Sequence, residues 1–408
     1  MGQYFKGNQI LGRKGAIGCV SLEITQRCNL DCSLCYLSES SAMVTDLPME
    51  ELLRRLDEVV KVYGPGTNVQ ISGGDPTLRD KSELLAIVGY ARKIGLHPAL
   101  FTNGKKCSRE LLEELSAVGL SDVAFHVDLT QKLKGYETEA DLNKLRLEFI
   151  ERARGLSLLV IFNTTVHKSN FKEIPELVKF FIENSDVVGM ASFQLQADTG
   201  RGTLHQRPEP INLKTVQEKI SQGTGNHLPW DTILIGHPKC HTYVPTLAVN
   251  GKAFGFLDDS KMFSDFLKDF SHITHDRREG PIKIVWIYLK AGFKRPKWII
   301  RALTYFLPRL WKIRKDIFAS KGRINKISFF IQNFMDEDNL DSERIDACSF
   351  MVMTAEGPVS MCKHNASRDD YILQPVQISD GNESKTFYPL PLDRETESST
   401  LEVEKLVT

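Results

Sequence analysis

Cys28-Asn29-Leu30-Asp31-Cys32-Ser33-Leu34-Cys35 is the stretch on which the reading of this sequence turns. It follows directly on a strand-like run, Val20 to Thr25. Three cysteines at a Cys-x3-Cys-x2-Cys spacing sit in one short loop. Thiolates are soft ligands for zinc and for iron–sulfur clusters. A loop with three of them fixes three corners of a tetrahedral site and leaves the fourth valence to something else. A structural zinc site closes with four ligands, and no second Cys-x2-Cys pair follows.

Outward from this loop, apolar runs of strand length alternate with amphipathic helical stretches. Strands are predicted at Cys19–Thr25, Asn68–Gly73, Pro98–Thr102, Asp122–Asp128, Leu158–Val166 and Gly189–Ala197. Helices are predicted at Met49–Tyr63, Lys81–Ile94, Arg109–Val118, Asp141–Arg154 and Ile174–Asn184. Repeated βα units imply a parallel sheet covered by helices, with chemistry at the C-terminal ends of the strands. The polar motifs fall at those ends. Strand two runs into Ser72-Gly73-Gly74-Asp75-Pro76-Thr77, where paired glycines allow close backbone approach and the Asp75 carboxylate is expected to face outward as an acceptor for an ammonium. Strand three ends in Thr102-Asn103-Gly104. Alternation puts His126 and Asp128 on one face of strand four, with His126 also readable as a core histidine. Asn163 and Thr165 share a face of strand five, and Gln194 and Gln196 a face of strand six. A ribose or adenine edge, or waters and loop amides, would satisfy them.

The cysteine spacing followed by the Gly-Gly turn resembles the radical S-adenosylmethionine (SAM) enzymes over about residues 15–225. The resemblance implies a partial (βα)6 barrel, followed here by a smaller α+β C-terminal domain with cysteine-bearing hairpins. It implies a [4Fe–4S] cluster on Cys28, Cys32 and Cys35, with the open iron chelated by SAM. Gly73-Gly74-Asp75-Pro76 looks like the family's Gly-Gly-Glu-Pro motif, which holds the methionine amino group; Asp75 replaces the usual Glu. Asn103 stands where the family touches SAM, and Asp128 where it approaches the ribose. Leu34 stands where an aromatic side chain often packs on adenine, and Tyr36 follows. A small ferredoxin or flavodoxin is the implied electron donor.

Bulk composition fits this picture. The chain has 408 residues, 41% hydrophobic and 25% charged, with no net charge, so whole-molecule attraction to nucleic acid is not indicated. Eight cysteines in clusters suggest a reducing compartment and metal use rather than a disulfide framework. No secretory signal or spanning apolar run is found. The expected location is cytoplasmic, with peripheral contact at the inner face of a membrane.

The chain divides into an N-terminal segment (1–18), the radical SAM core (19–225), an auxiliary-cluster and substrate domain (226–377) and a polar, loosely ordered tail (378–408). In the third part an Asn250-Gly251 hairpin is predicted between Pro245–Val249 and Lys252–Phe256. A second hairpin near Glu356-Gly357 folds Cys348 toward Cys362. With Cys240 these form a candidate auxiliary [4Fe–4S] site, its last ligand being His241, His364, a barrel cysteine or the substrate. Cys19 and Cys107 read as structural. From Tyr288 to Ser328 there are twelve Lys or Arg and one acid, Asp316. Ile299, Leu303, Phe306, Leu310, Ile313 and Ile317 form an apolar stripe on a basic amphipathic helix, 296–320, which Pro308 should kink or split. Such a helix suits a membrane interface; no nucleic-acid recognition motif accompanies it.

Ala347-Cys348-Ser349-Phe350, Ser360-Met361-Cys362-Lys363-His364-Asn365-Ala366 and His237-Pro238-Lys239-Cys240 are similar to segments of the archaeal tetraether lipid synthases and their relatives, a group that includes enzymes acting on pterins. This implies a 5′-deoxyadenosyl radical abstracting hydrogen from an unactivated carbon of a membrane lipid chain, with carbon–carbon coupling. Those synthases carry a further cysteine-bearing N-terminal segment, and only eighteen residues precede strand one here. A peptide-maturing or pterin-modifying radical SAM enzyme, or a non-enzymatic cluster- or lipid-binding protein, are the other readings.

Overall fold

A computed structural model describes residues 18–205, 211–273, 281–380 and 383–391. The first half is a run of βα units. β1 (Cys19–Thr25), β2 (Asn68–Gly73), β3 (His97–Thr102), β4 (Asp122–His126), β5 (Leu159–Val166) and β6 (Val188–Leu195) alternate with α1 (Met49–Tyr63), α2 (Lys81–Lys93), α3 (Arg109–Val118), α4 (Glu139–Ala153) and α5 (Ile174–Glu183); α6 (Leu213–Thr224) follows. All six strands are parallel and adjacent in sequence order. Their outward residues pack under the helices in one core that includes Leu22, Leu56, Ile71, Leu100, Phe125 and Phe162. The helices begin where the chain supplies caps: Asp80, Ser108 and Thr138 each accept an amide of the first turn.

The second half continues the same sheet at both edges. It contains β7 (His241–Val249), β8 (Lys252–Gly255), α7 (Ser260–Phe270), α8 (Pro281–Phe293), α9 (Pro296–Lys312), α10 (Arg314–Ala319), β9 (Asn325–Asn333), α11 (Ser342–Asp346), β10 (Phe350–Thr354), β11 (Gly357–Ser360) and α12 (Met361–Ala366). β9 pairs parallel with β6, and β10 pairs parallel with β1. The sheet order is therefore β11-β10-β1-β2-β3-β4-β5-β6-β9-β7-β8, with eight consecutive parallel strands from β10 to β9. The two ends of that run approach each other through side chains. The rings of Phe330 (β9) and Phe350 (β10) lie 5.8 Å apart, and His241 stacks on Phe330 at 5.8 Å and meets Phe350 at a tilt at 4.5 Å. This aromatic seam brings the C-terminal hairpins against the barrel edge.

Both predicted hairpins form, and Asn250 and Gly251 take the left-handed backbone that a two-residue turn needs. Two expectations change. Two strands, β12 (Val376–Asp380) and β13 (Glu383–Phe387), pair antiparallel, and the Pro389 carbonyl accepts the Thr45 amide at 2.8 Å, so the start of the expected loose tail is ordered. Residues 392–408 of that tail, and 1–17 of the N-terminal segment, lie outside the described residues. α9 runs through Pro308 without interruption and ends at Lys312, where Ile313 separates it from α10.

Candidate functional site

The interior of the barrel is a cavity of about 890 Å³, and Cys28, Cys32 and Cys35 line it together with Leu34, Tyr36, Gly73, Gly74, Asn103 and Asn163. All three thiols are free and half-buried. The loop that carries them is clasped from two sides. The Ser33 amide donates to the Thr130 carbonyl at 2.8 Å, beyond β4. Cys35 pairs with Gly202 through reciprocal backbone bonds of 3.2 and 3.1 Å. Glycine is required there, because a Cβ on Gly202 would stand 2.3 Å from the Cys35 nitrogen. Arg201, between Gly200 and Gly202, hydrogen-bonds Cys35 and reaches the Leu30 carbonyl at 3.4 Å. Burial works against its charge, but Cys35 and Asp31 outweigh burial and raise its pKa. The sequence expectations give Arg201 no role; the Gly200-Arg201-Gly202 pattern is the signal that marks it.

Burial pushes the Cys28 and Cys32 thiols above the usual range, so cluster binding must displace their protons. Three soft thiols around a cavity, with a guanidinium beside them, fit an iron–sulfur cluster with one iron uncommitted. Among the described residues no three His, Cys, Asp or Glu side chains gather as a lone metal ion requires. A cluster spreads its thiolates wider than a single ion does.

The Gly-Gly turn is built for contact with β1. A Cβ on Gly73 would lie 1.9 Å from the Thr25 oxygen, and one on Gly74 2.0 Å from the Arg27 oxygen. The Gly74 and Asp75 amides donate to those same carbonyls at 2.9 and 2.8 Å. The glycines thus lock the turn to the segment entering the cysteine loop. Tyr36 tightens this from the other side, its hydroxyl donating to the Gly73 carbonyl at 2.6 Å.

Three residues expected to face the cofactor are instead buried away from the cavity wall. The Asp75 carboxylate is turned inward and 1% exposed. It accepts from the Thr77 amide and hydroxyl at 3.0 and 2.5 Å, the Thr102 hydroxyl at 2.9 Å and the Asn103 amide at 2.8 Å. Asp128 is fully buried and accepts from the Thr130 amide at 2.9 Å and the Thr165 amide at 2.7 Å, with His126 Nε2 2.8 Å away. Gln196 is buried off the cavity wall, its amide donating to Asp198 at 3.3 Å, while Gln194 lines the cavity. All three lie beyond the end of a strand, where alternation no longer governs direction. Asp75 and Asp128 each become the N-cap of a 3₁₀ turn. His126, by contrast, is half-buried and lines the cavity. Burial disfavours the imidazolium, but Asp128 outweighs burial and raises the His126 pKa. Asn103 donates to the Asn29 side chain at 2.6 Å and stands 3.9 Å from Cys28 Sγ.

The other three cysteines collect at the aromatic seam. Cys240 precedes β7, Cys348 precedes β10, and Cys362 lies in the first turn of α12. Burial pushes the Cys362 thiol up to about 12, and both Cys348 and Cys240 add to the rise. Arg344 Nε stands 3.2 Å from Cys240 Sγ, its guanidinium held by the Asn333 carbonyl at 2.5 Å. His241 packs in the seam, with Nδ1 unpartnered among the described residues. His364 is buried and stacks on Tyr371, and its charge neighbours are Glu23 and Arg368. Cys19 and Cys107 are buried in the core, as expected of structural thiols.

Residues 22–181 match the family model for the Radical SAM superfamily. Among curated proteins, the chain is 30% identical over 187 residues to a 7,8-dihydro-6-hydroxymethylpterin dimethyltransferase of Methanocaldococcus jannaschii, covering 44% of this chain and 37% of that protein. It is 29% identical over 185 residues to a PqqA peptide cyclase of Bradyrhizobium diazoefficiens, covering 43% of this chain and 46% of the relative. The chain thus spans less than half the length of these two relatives. Streptococcus suis SuiB bound to S-adenosylmethionine aligns over 50% of this chain and 47% of that one, at 20% identity and a TM-score of 0.40.

Proposed function

Since residues 22–181 form a radical SAM superfamily domain, which takes a [4Fe–4S] cluster and SAM, we propose that the chain is an enzyme that removes hydrogen from a polar substrate of peptide or pterin type held inside the barrel. The observation that carries this reading is Gln332. Its side chain is 4% exposed and lines the cavity, and its Nε2 has no partner among the described residues. Gln131 also lines the cavity; its Oε1 is buried without a partner among the described residues, while its Nε2 donates to the His126 carbonyl at 2.7 Å. A buried amide left unpaired costs about 1–3 kcal/mol. Turned into the cavity, either side chain would pair with an amide or a pterin ring, and would find no partner on a hydrocarbon chain.

Cys28, Cys32 and Cys35 would hold the cluster. When bound, it would supply the electron for reductive cleavage of SAM, the source of the hydrogen-abstracting radical. Arg201 offsets thiolate charge, and Tyr36 fixes the Gly73 carbonyl at the cavity wall. His126, braced by Asp128, offers the substrate a hydrogen bond or a proton. Cys240, Cys348 and Cys362 would hold an auxiliary cluster, with Arg344 donating toward one of its sulfurs. The electron donor is a small ferredoxin or flavodoxin.

A membrane lipid, modified singly or coupled through carbon–carbon bonds, is the second reading. Exposed apolar side chains on α8 and α9 favour it. Anaerobic incubation with SAM and a strong reductant, supplied in parallel with peptides, pterins or lipid extract, separates the two. Stimulated 5′-deoxyadenosine release and a mass change in a peptide or pterin are expected; a mass change in lipid alone would replace the first reading with the second.

A further inference from the structure

We propose that α8, α9 and α10 form a docking surface for an anionic phospholipid bilayer. This goes beyond the catalytic reading and holds for either substrate class. Trp286 and Phe293 on α8, Ile300, Leu307 and Trp311 on α9, and Phe318 on α10 are each more than half exposed. Ordinary surfaces scatter such side chains singly; a concentration of this kind marks a contact surface.

The segment is held from its other side. Tyr305 and Ile313 are buried. Trp298 Nε1 donates to Asp269 at 2.7 Å. Arg295, Arg301 and Arg309 pair with Asp269, Asp265 and Asp258 of α7 and the loop before it. Those pairs neutralise the cations turned toward the protein. Lys290, Lys294, Lys297, Lys312 and Lys315 are exposed and have no ion pair among the described residues. The one acid between residues 281 and 323, Asp316, is already bound to Lys252 at 3.1 Å. Exposed indole and aliphatic groups beside unpaired lysines are what an interface of acyl chains and anionic headgroups accepts. A second copy of this chain would set lysine against lysine. No helix among the described residues is long and apolar enough to cross a membrane, so the contact is with the surface.

The test is flotation of the full chain with phosphatidylcholine vesicles, with and without phosphatidylglycerol, at low and high salt. Binding to the anionic vesicles is expected to be at least about tenfold tighter than to neutral ones and to weaken with salt. The L307S/W311S/F318S variant should lose binding while keeping its melting temperature and its SAM cleavage. The charge variant K294E/K312E/K315E should lose binding without touching any apolar contact. Equal binding to neutral and anionic vesicles overturns the proposal. So does failure to bind accompanied by a dimer that the apolar variant converts to monomer in sedimentation, or binding that appears only when residues 392–408 are removed.

Discussion

The Asp75 carboxylate accepts the Asn103 main-chain amide at 2.8 Å and so pins the turn after β2 to the loop after β3. Two loops that border the cysteine site are joined by one buried acceptor that also takes the Thr102 hydroxyl. An amide in its place would turn a donor toward donors. Asp75→Asn should therefore lower the stability of the protein without SAM by about 1–3 kcal/mol, read by denaturant unfolding. An unchanged unfolding curve, with SAM affinity alone reduced, would return Asp75 to the role of a cofactor ligand.

His126 and Asp128 stand 2.8 Å apart, and their pKa values are pushed in opposite directions. For Asp128, burial is outweighed by His126 and by bonds from Thr130 and Thr165, so its pKa is depressed. Its contribution to stability is present above the unfolded value of about 3.9 and is lost as pH falls through the folded one. For His126 the pKa is raised, with Glu139 adding to Asp128. Its contribution is complete below about 6.5 and fades as pH rises through the folded value. The stability gap between the wild type and His126→Gln should be widest between those limits and narrow on the alkaline side. A gap that grows with pH would contradict the charged pair.

Gln332→Leu keeps the volume of the cavity wall and removes its unpaired donor. On the polar-substrate reading, substrate-dependent turnover falls about five- to 150-fold, the equivalent of about 1–3 kcal/mol. Cleavage of SAM without substrate stays as it was. If the variant turns over faster, the wall prefers a hydrocarbon.

These positions show what was legible in the sequence. Apolar runs of strand length between helical stretches located β1 through β6, because the strands of a parallel sheet covered by helices carry near-continuous hydrophobic runs. Alternation carried past the strand end misplaced Asp128 and Gln196, and the Gly-Gly turn misplaced Asp75; each lies one or two residues past a strand end. There, local capping bonds decide where a side chain points. The clasp by Gly202 was not legible either. It rests on a backbone pairing with Cys35 across 167 residues of chain, and no local pattern encodes such a partner. The joining of β9 to β6 and β10 to β1 was hidden for the same reason.

Gly202→Ala tests that clasp directly. The added Cβ would stand 2.3 Å from the Cys35 nitrogen and 3.0 Å from the Cys32 oxygen, both backbone atoms that cannot swing aside. After anaerobic reconstitution the variant should lose about four irons per chain relative to the wild type, the content of one [4Fe–4S] cluster. Its far-ultraviolet circular dichroism should be unchanged. Full iron content in the variant would show that the loop adjusts without the clasp.

Arg368 reaches from the C-terminal region into the barrel and bonds Glu23 of β1 at 2.5 Å and Gln26 at 3.2 Å, its guanidinium 4.8 Å from the centre of the Tyr36 ring. The pair is nearly dry, at 1% and 7% side-chain exposure. Removing one partner strands the other's charge, so Arg368→Met should cost about 3–5 kcal/mol. Glu23→Gln alone strands the guanidinium and should cost a similar amount. The double variant has no charge left to strand, and should recover most of the loss, because a buried ion pair is worth little more than a neutral pair of the same shape. Denaturant unfolding of all four proteins closes the cycle. Additive losses would mean that Arg368 acts through packing on Tyr36 rather than through Glu23.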